Sequence, residues 1–281
     1  MTSALLPRTH TPAFALAGRS AGDIHQRHLT PALFQQWTDR VLNAADLQPD
    51  MRVADIACGT GVLTHAAIAL VGKNGLVAGI EANKDFLEVA RSSSPTVPRT
   101  RPSIVWQHAQ PQKLPFADGS FDAVVCQFGL MFFEDRAAAL REMYRILRPG
   151  GRMVLTVWDS VELSPGFSAE QRLLHRVCGP EVAAESTVAF SLGEPLLLRA
   201  LFRQAGIPRI AISTCDGTAR FPSIRFWIYA RIKGSTLATR IQHAQFTELL
   251  VQADQELARF AAADGTVAFA TPAHLIVVNK S

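Results

Sequence analysis

Between Met51 and Trp158 the apolar residues fall into short continuous runs separated by stretches with helical spacing, the pattern of a parallel sheet covered on both faces. Val53, Ala54, Ile56 and Ala57 form the first run, and Leu76, Val77, Ala78 and Ile80 the second. A helix near Asp85 to Arg91 and an exposed loop rich in Pro, Ser and Arg, Ser92 to Pro102, precede a short strand at Ser103 to Trp106. Asp118-Gly119-Ser120 then turns the chain into Phe121 to Cys126, whose β-branched residues suit a sheet interior. Leu140, Met143, Tyr144 and Leu147 recur at helical spacing between Asp135 and Arg148, and Pro149-Gly150-Gly151 stops that helix before a strand at Met153 to Trp158.

Beyond Trp158 the spacing predicts helical and irregular structure from Ser160 to Ala205, a strand at Ile210 to Thr214 and a final strand at His274 to Asn279. The segment between the last two, roughly Phe221 to Ala263, is far longer than an ordinary connection and is expected to form a helical cap over the site. Three divisions follow: an N-terminal helical segment or lid at 1–45, a ligand-binding core at 46–160, and the remaining core strands at 161–281 with the cap at about 217–265.

Chemistry enters at Val53-Ala54-Asp55-Ile56-Ala57-Cys58-Gly59-Thr60-Gly61, a buried strand that runs into a glycine turn and then a helix. Gly59 and Gly61 allow the backbone to turn tightly and approach a ligand, and the helix that begins near Val62 aims its amides at the same place. The second strand ends in Glu81, at a separation suited to a carboxylate on ribose hydroxyls. A dinucleotide and S-adenosylmethionine (SAM) both meet these demands. The third glycine of a dinucleotide fingerprint is replaced by Thr64. Asp55 would repel a pyrophosphate but suits a ligand carrying an ammonium group and a sulfonium, so charge favours SAM over NAD.

Composition narrows the setting. The chain has 281 residues, 48% hydrophobic and 19% charged, enough for a substantial core in one enlarged domain. Its net charge of +4 is spread along the sequence without a basic block, which argues against nucleic acid as a partner. Cys58, Cys126, Cys178 and Cys215 show neither C-x-x-C spacing nor companion histidines, so reduced thiols in a cytoplasmic protein are expected and a zinc site is not. The apolar stretch Ala13 to Ala17 is short, is flanked by Pro12 and Arg19, and lacks a basic region ahead of it, which reads as a flexible lead-in rather than a signal peptide. No apolar run approaches the roughly 20 residues of a membrane span.

In order, Asp55 to Gly61, Glu81, Leu114-Pro115-Phe116, Phe121-Asp122-Ala123-Val124 and Leu147-Arg148-Pro149-Gly150-Gly151 resemble the motifs of the class I SAM-dependent methyltransferases, in the branch of ubiquinone and menaquinone biosynthesis. The resemblance covers about Pro31 to Trp158 well and the remainder loosely. It implies an α/β fold, a doubly wound, mostly parallel, Rossmann-like seven-stranded sheet with an N-terminal helical segment and a helical cap insertion. It implies SAM as cofactor and S-adenosylhomocysteine as product. Carried over by position, Ala57, Cys58, Gly59, Thr60 and Gly61 would hold the methionine part, with the Ala57 carbonyl near the ammonium, and Glu81 would accept both ribose hydroxyls. Ala82 and Phe86 would wall the adenine, Ala109 and Gln110 would border its edge, and Cys126, Gln127 and Phe128 would lie beside the sulfonium. Two departures stand out. Ala57 occupies a position where the family commonly has glycine, and His108 one where it usually has an acid facing the adenine amino group.

Methyl transfer is an in-line displacement that mainly needs alignment and exclusion of water, so few catalytic side chains are required. His25 and His28, on a helix expected at Ile24 to Trp37, could fold over the crevice with Phe34 and Trp37, His28 offering a base; the plainer alternative is solvated histidines and aromatics packed on the sheet. His65 reads as structural. Gln127, at a strand end, reads equally as a ligand-orienting or a structural amide. Phe128, Met131, Phe132 and Phe133 form a core or acceptor-pocket cluster, and Phe221, Phe226, Trp227 and Tyr229 either line a pocket or hold cap to sheet. The sequence shows no metal-ligand cluster, so metal-independent transfer to a small, apolar or aromatic metabolite by a monomer or homodimer is expected. Rival readings are an enzyme that retains the cofactor as a scaffold for cyclisation or rearrangement, a non-catalytic binding protein, and a nicotinamide dehydrogenase.

Overall fold

A computed structural model describes residues 19–94 and 103–281. The lead-in at Ala13 to Ala17 and most of the loop from Ser92 to Pro102 lie outside the described residues. Seven strands form one sheet in the order β3-β2-β1-β4-β5-β9-β6. β1 (Arg52–Ile56), β2 (Leu76–Glu81), β3 (Ser103–His108), β4 (Phe121–Gln127) and β5 (Leu147–Trp158) run parallel. β9 (Ala273–Asn279) enters antiparallel between β5 and β6 (Ala211–Cys215). The doubly wound α/β sheet expected from the sequence is therefore the fold, and its strands begin or end within a few residues of the expected positions.

Both faces of the central strands are apolar because both are covered. Val53, Val77, Ala123, Val125 and Val154 pack against α2 (Gln35–Ala45) and α3 (Val62–Val71) through Val41, Leu42, Leu63, Ala67 and Val71. The alternate residues, Ala54, Ile56, Ala78, Ile80, Val124 and Leu155, belong to the larger core on the other side, which includes Leu140, Met143 and Ile146 of α5 (Arg136–Ile146). That core continues through α6 (Pro165–Cys178), α7 (Pro180–Ser186) and α8 (Pro195–Gln204) into the cap.

The cap differs from the expected helical insertion at its base. β7 (Thr218–Phe221) and β8 (Val267–Ala270) pair antiparallel, so the chain enters and leaves the cap through a two-stranded ribbon. Its signature is period-two burial in very short segments: Ala219 and Phe221 face inward opposite Val267 and Phe269. Four residues of alternation are too few to stand out beside the helical patterns that follow. Between the ribbon strands lie α9 (Ile224–Lys233) and α10 (His243–Glu256).

The lid also has an unexpected form. After α1 (Ala21–Ile24), residues His25–Phe34 wind as a π-helix with Pro31 inside it before α2 begins. Proline has no amide hydrogen to give to a regular helical ladder, and the Gln35 amide donates to the carbonyl of Thr30, five residues back. The Gln36 side chain ties this segment to the cap, its amide nitrogen donating to the Thr218 carbonyl at 2.9 Å while its oxygen accepts the Thr218 N–H at 3.0 Å.

One buried ion pair joins α9 to α6. Glu170, 1% exposed, accepts the Trp227 Nε1–H at 2.7 Å and the Arg231 Nε–H at 3.1 Å, while the Arg231 guanidinium lies 4.8 Å from the Phe167 ring centre. Glu170→Ala leaves Arg231 and the Trp227 N–H without that partner, and urea denaturation is expected to show a loss of about 3–5 kcal/mol. A change within about 0.5 kcal/mol would mean that the cap does not need this bracket.

Candidate cofactor and acceptor site

The loop after β1 is built around two carboxylates, one buried and one half-buried. Asp55, 1% exposed, shares a sheet face with Val53 and meets α3, where Thr64 donates its hydroxyl to Oδ2 at 2.6 Å. Thr64 thus stands where a dinucleotide fingerprint would place glycine because its side chain serves Asp55, a role the sequence did not reveal. The other oxygen, Oδ1, is buried without a partner, and burial pushes the Asp55 carboxyl up to about 7. Glu81, half-buried at the end of β2, accepts the Gly59 N–H at 3.0 Å on one oxygen and the Asn83 N–H at 2.8 Å on the other. Burial raises its pKa, opposed by these amides. The loop is further fixed to β2 by the Cys58 N–H on the Ile80 carbonyl at 3.0 Å.

Ala57, Gly59 and Gly61 all have positive φ, at 55°, 57° and 91°. For Ala57 this is a left-handed conformation that costs a residue with a Cβ about 1–2 kcal/mol, so the departure from glycine carries more weight than an added methyl group alone. The methyl group has room because residue 129 is glycine: a Cβ there would lie 2.6 Å from that of Ala57 and 3.0 Å from the Cys126 sulfur.

The parallel strands deliver the other candidates to the same end of the sheet. His108 pairs in register with Glu81, and its Nε2–H donates to the Ala82 carbonyl at 2.9 Å, leaving Nδ1 as the acceptor in the neutral ring. Ala109 donates its N–H to the Glu81 carbonyl at 3.3 Å, and Gln110 is exposed. Phe86 is half-buried in the first turn of α4 (Lys84–Ser92), whose N-cap is Asn83. At the end of β4, Gln127 stands in register with Thr156, and its Nε2 donates to the Phe34 carbonyl at 3.3 Å. Cys58 and Cys126 are buried with their thiols pushed up, to about 12 for Cys126, so neither is a nucleophile at neutral pH.

An aromatic wall follows Gln127. Phe128, itself at φ 57°, stacks on Trp158 with ring centres 3.9 Å apart, and Phe34 and Trp37 lie against both. His25 packs between Phe34 and Phe86, and burial pushes its pKa down to about 4. His28 meets Phe226 of α9 edge-on at 4.8 Å; burial first, then Arg19 and Arg27, lower its pKa. Two expected acceptor-side residues stand apart from this group. Trp227 is fully buried in the cap among Phe221, Phe260 and Phe269 with its N–H on Glu170, so it holds the cap together, and Phe132 is 61% exposed. His65 sits edge-on to Trp106 at 5.4 Å.

Among the described residues, the buried side-chain polar atoms without a partner are confined to three places. They lie on the lid and α2 (His25 Nδ1, Gln26 Oε1, His28 Nε2, Thr30 Oγ1, Trp37 Nε1, Thr38 Oγ1), on the first loop (Asp55 Oδ1, Thr60 Oγ1) and at the ends of β4 and β5 (Gln127 Oε1, Thr156 Oγ1). Buried polar atoms in native proteins are normally satisfied, so these atoms stand out from the rest of the fold. A buried carboxylate with a free oxygen beside a second acid on a glycine loop fits a cationic nucleoside such as SAM. Among the described residues, no group of three or more His, Cys, Asp or Glu side chains could hold a metal ion, and no helix is long and apolar enough to cross a membrane.

Comparison with known proteins agrees with this fold. Residues 54–155 match the methyltransferase domain family. A demethylmenaquinone methyltransferase of Staphylococcus epidermidis is 30% identical over 194 residues, covering 64% of this chain and 78% of the relative. In fold the chain is similar to phosphoethanolamine N-methyltransferase 2 of Haemonchus contortus, solved with phosphomonomethylethanolamine and S-adenosylhomocysteine (TM-score 0.54, 16% identity, 88% of this chain and 53% of that one). It is likewise similar to the [4+2]-cyclase SpnF (TM-score 0.52, 17% identity, 88% and 80%). Strand order, glycine loop and sheet-end acid are those of a nucleoside-binding α/β enzyme. The chain belongs to the class I SAM-dependent methyltransferases, in the group of menaquinone and ubiquinone type. It is a methyltransferase, and its cofactor is SAM.

Two measurements probe the loop. The folded chain keeps the Asp55 proton to about pH 7, whereas the unfolded chain releases it near 3.8, so the unliganded protein loses stability as pH rises between those values. Asp55→Asn should flatten that fall in urea titrations at about pH 5 and about pH 7.5, and parallel slopes for the two proteins would refute the assignment. Gly129→Ala should cost about 1–3 kcal/mol through collision with the Ala57 methyl, and Ala57→Gly in the same chain should recover part of it. Additive effects in that double-mutant cycle would show that the two positions do not touch.

Proposed function

We propose that this enzyme transfers the SAM methyl group to a small apolar or aromatic metabolite held between the lid, the ends of β4 and β5, and the cap. The observation that carries the reading is the aromatic wall of Phe34, Phe128 and Trp158 beside one amide, Gln127, whose Oε1 has no protein partner. Such a wall takes a flat, apolar body, and Gln127, with Thr156 in register beside it, would orient a hydroxyl or amino group on it. The naming of the staphylococcal relative for demethylmenaquinone supports a ring of this kind.

On the cofactor side, Ala57 to Gly61 would hold the methionine portion, Asp55 supplying negative charge behind it. Glu81 would take the ribose through lone pairs left over from its two amide bonds. Ala82 and Phe86 would flank the adenine, Ala109 and Gln110 would border it, and His108 would offer Nδ1 to its amino group. Cys126 and Gln127 would face the sulfur end. Bound SAM supplies a methyl group activated by the neighbouring sulfonium.

The protein's work is then alignment, exclusion of water and management of one proton. His28 would receive that proton from an ionising acceptor. Burial lowers its pKa, which favours the neutral ring, and its Nε2 has no protein partner. The bundle of Phe34, Trp37, Phe128 and Trp158 would keep solvent from the reacting carbon.

Single-turnover mass spectrometry with methyl-labelled SAM and a panel of quinols, phenols and demethylmenaquinone tests the reading. Label is expected in a ring product, with the rate falling about 100-fold or more in His28→Gln if the acceptor must ionise. Conversion of an acceptor without label, with SAM intact, would instead favour scaffold use of the cofactor, as in a cyclase. Persistence of transfer after exhaustive chelation is expected; reversible loss would contradict metal independence.

A further inference from the structure

Where α6 meets the end of α10 lies a cavity of about 300 Å³, none of whose lining residues belongs to the cofactor or acceptor site. Ala169, Arg172 and Arg176 of α6 form one side, and Glu256 at the end of α10, Leu257 and Arg259 form the other. Its floor is apolar, since Leu257 is fully buried and Ala169 nearly so. Arg259 stands in the single helical turn Ala258–Phe260 that follows α10. Three guanidinium groups therefore line the cavity beside one carboxylate.

That carboxylate is already engaged. Glu256 pairs with Arg176, whose guanidinium also donates to Gln252 Oε1 at 3.0 and 3.2 Å. Asp254, the preceding acid of α10, is held by Arg225 at 2.6 Å. Among the described residues neither Arg172 nor Arg259 has a carboxylate partner, and the Arg259 guanidinium lies 4.9 Å from the Phe260 ring centre. Arg172 and Arg176 stand one helical turn apart, a spacing at which like charges repel. Isolated surface arginines are simply solvated, but these line a concavity, where low-dielectric walls concentrate the field of two unmatched positive charges.

We propose that this cavity binds the phosphate group of a small phosphorylated metabolite, held between Arg172 and Arg259 with Arg176 beside them. A phosphate monoester carries close to two negative charges at neutral pH and so matches the two unpaired guanidinium groups, whereas a carboxylate supplies one. Guanidinium forks donate paired N–H groups to phosphate oxygens, and the volume leaves room for a compact organic body against Ala169 and Leu257. Arg172 belongs to the body of the enzyme and Arg259 to the cap, so the bound phosphate cross-links the two. This site is separate from the SAM reading and stands or falls without it.

Calorimetric titration of the full chain with glycerol 3-phosphate, in chloride buffer at fixed ionic strength, tests the proposal. A Kd of about 1 mM or tighter is expected, and Arg172→Gln/Arg259→Gln should weaken binding about 10-fold or more. Arg203→Gln/Arg209→Gln, which removes the same charge from exposed positions elsewhere, should bind as the wild type does. The unliganded Tm of Arg172→Gln/Arg259→Gln should hold or rise, because like charges have been removed; a fall would assign these arginines to the fold and overturn the proposal. Absence of heat in the wild type, or equal weakening in the two double variants, would also overturn it. Retention on phosphatidylglycerol vesicles without any response to glycerol 3-phosphate would do the same, and would assign the arginines to a lipid surface.

Discussion

The site depends on one carboxylate that answers two backbone amides. Glu81 ends β2, and by accepting the N–H groups of Gly59 and Asn83 it fastens the loop after β1 to the start of α4. Three chain segments far apart in sequence are registered by a single side chain. Because the group is half-buried, these amides do more than they would in water: they offset the desolvation that raises its pKa. A neutral amide at this position could accept on one side only and would set an N–H against the other. The acid that a ribose would need is thus the acid that shapes the loop around it, so architecture and recognition cannot be altered separately here.

Around that centre the protein tolerates strain and burial in places where a plain scaffold would not. Ala57 and Phe128 both sit at positive φ without being glycine, in the neighbouring loops after β1 and β4. Asp55 is buried with one oxygen answered by Thr64 and the other unanswered. Unfavourable backbone and electrostatic terms of this kind concentrate where ligands act, and the well-filled core on both faces of the sheet supplies the stability that carries them.

Much of this was legible in the residues. Apolar runs marked the parallel strands because both faces of the sheet are covered, and the two acids were readable because carboxylates are rare in such runs. Other features left weaker traces. Thr64 looked like a missing glycine, and only the fold reveals its hydroxyl on Asp55 nine residues earlier. Ala57 showed only as a departure from the family's glycine, because sequence carries no sign of φ. Trp227 resembled a pocket residue as readily as a cap residue, and its bond to Glu170, 57 residues away, is what separates the two readings. The ribbon of β7 and β8 joins segments that are short and distant, so neither strand announces itself locally.

That ribbon has an evolutionary consequence. Its two strands run side by side, so everything from α9 through α10 leaves the body of the enzyme and returns to it at nearly the same point. A segment pinned in this manner can lengthen, shrink or be exchanged for another while the sheet and its glycine loop keep their shape. Under the proposed function, variation confined to this segment would alter the acceptor side of the site while the glycine loop stays as it is.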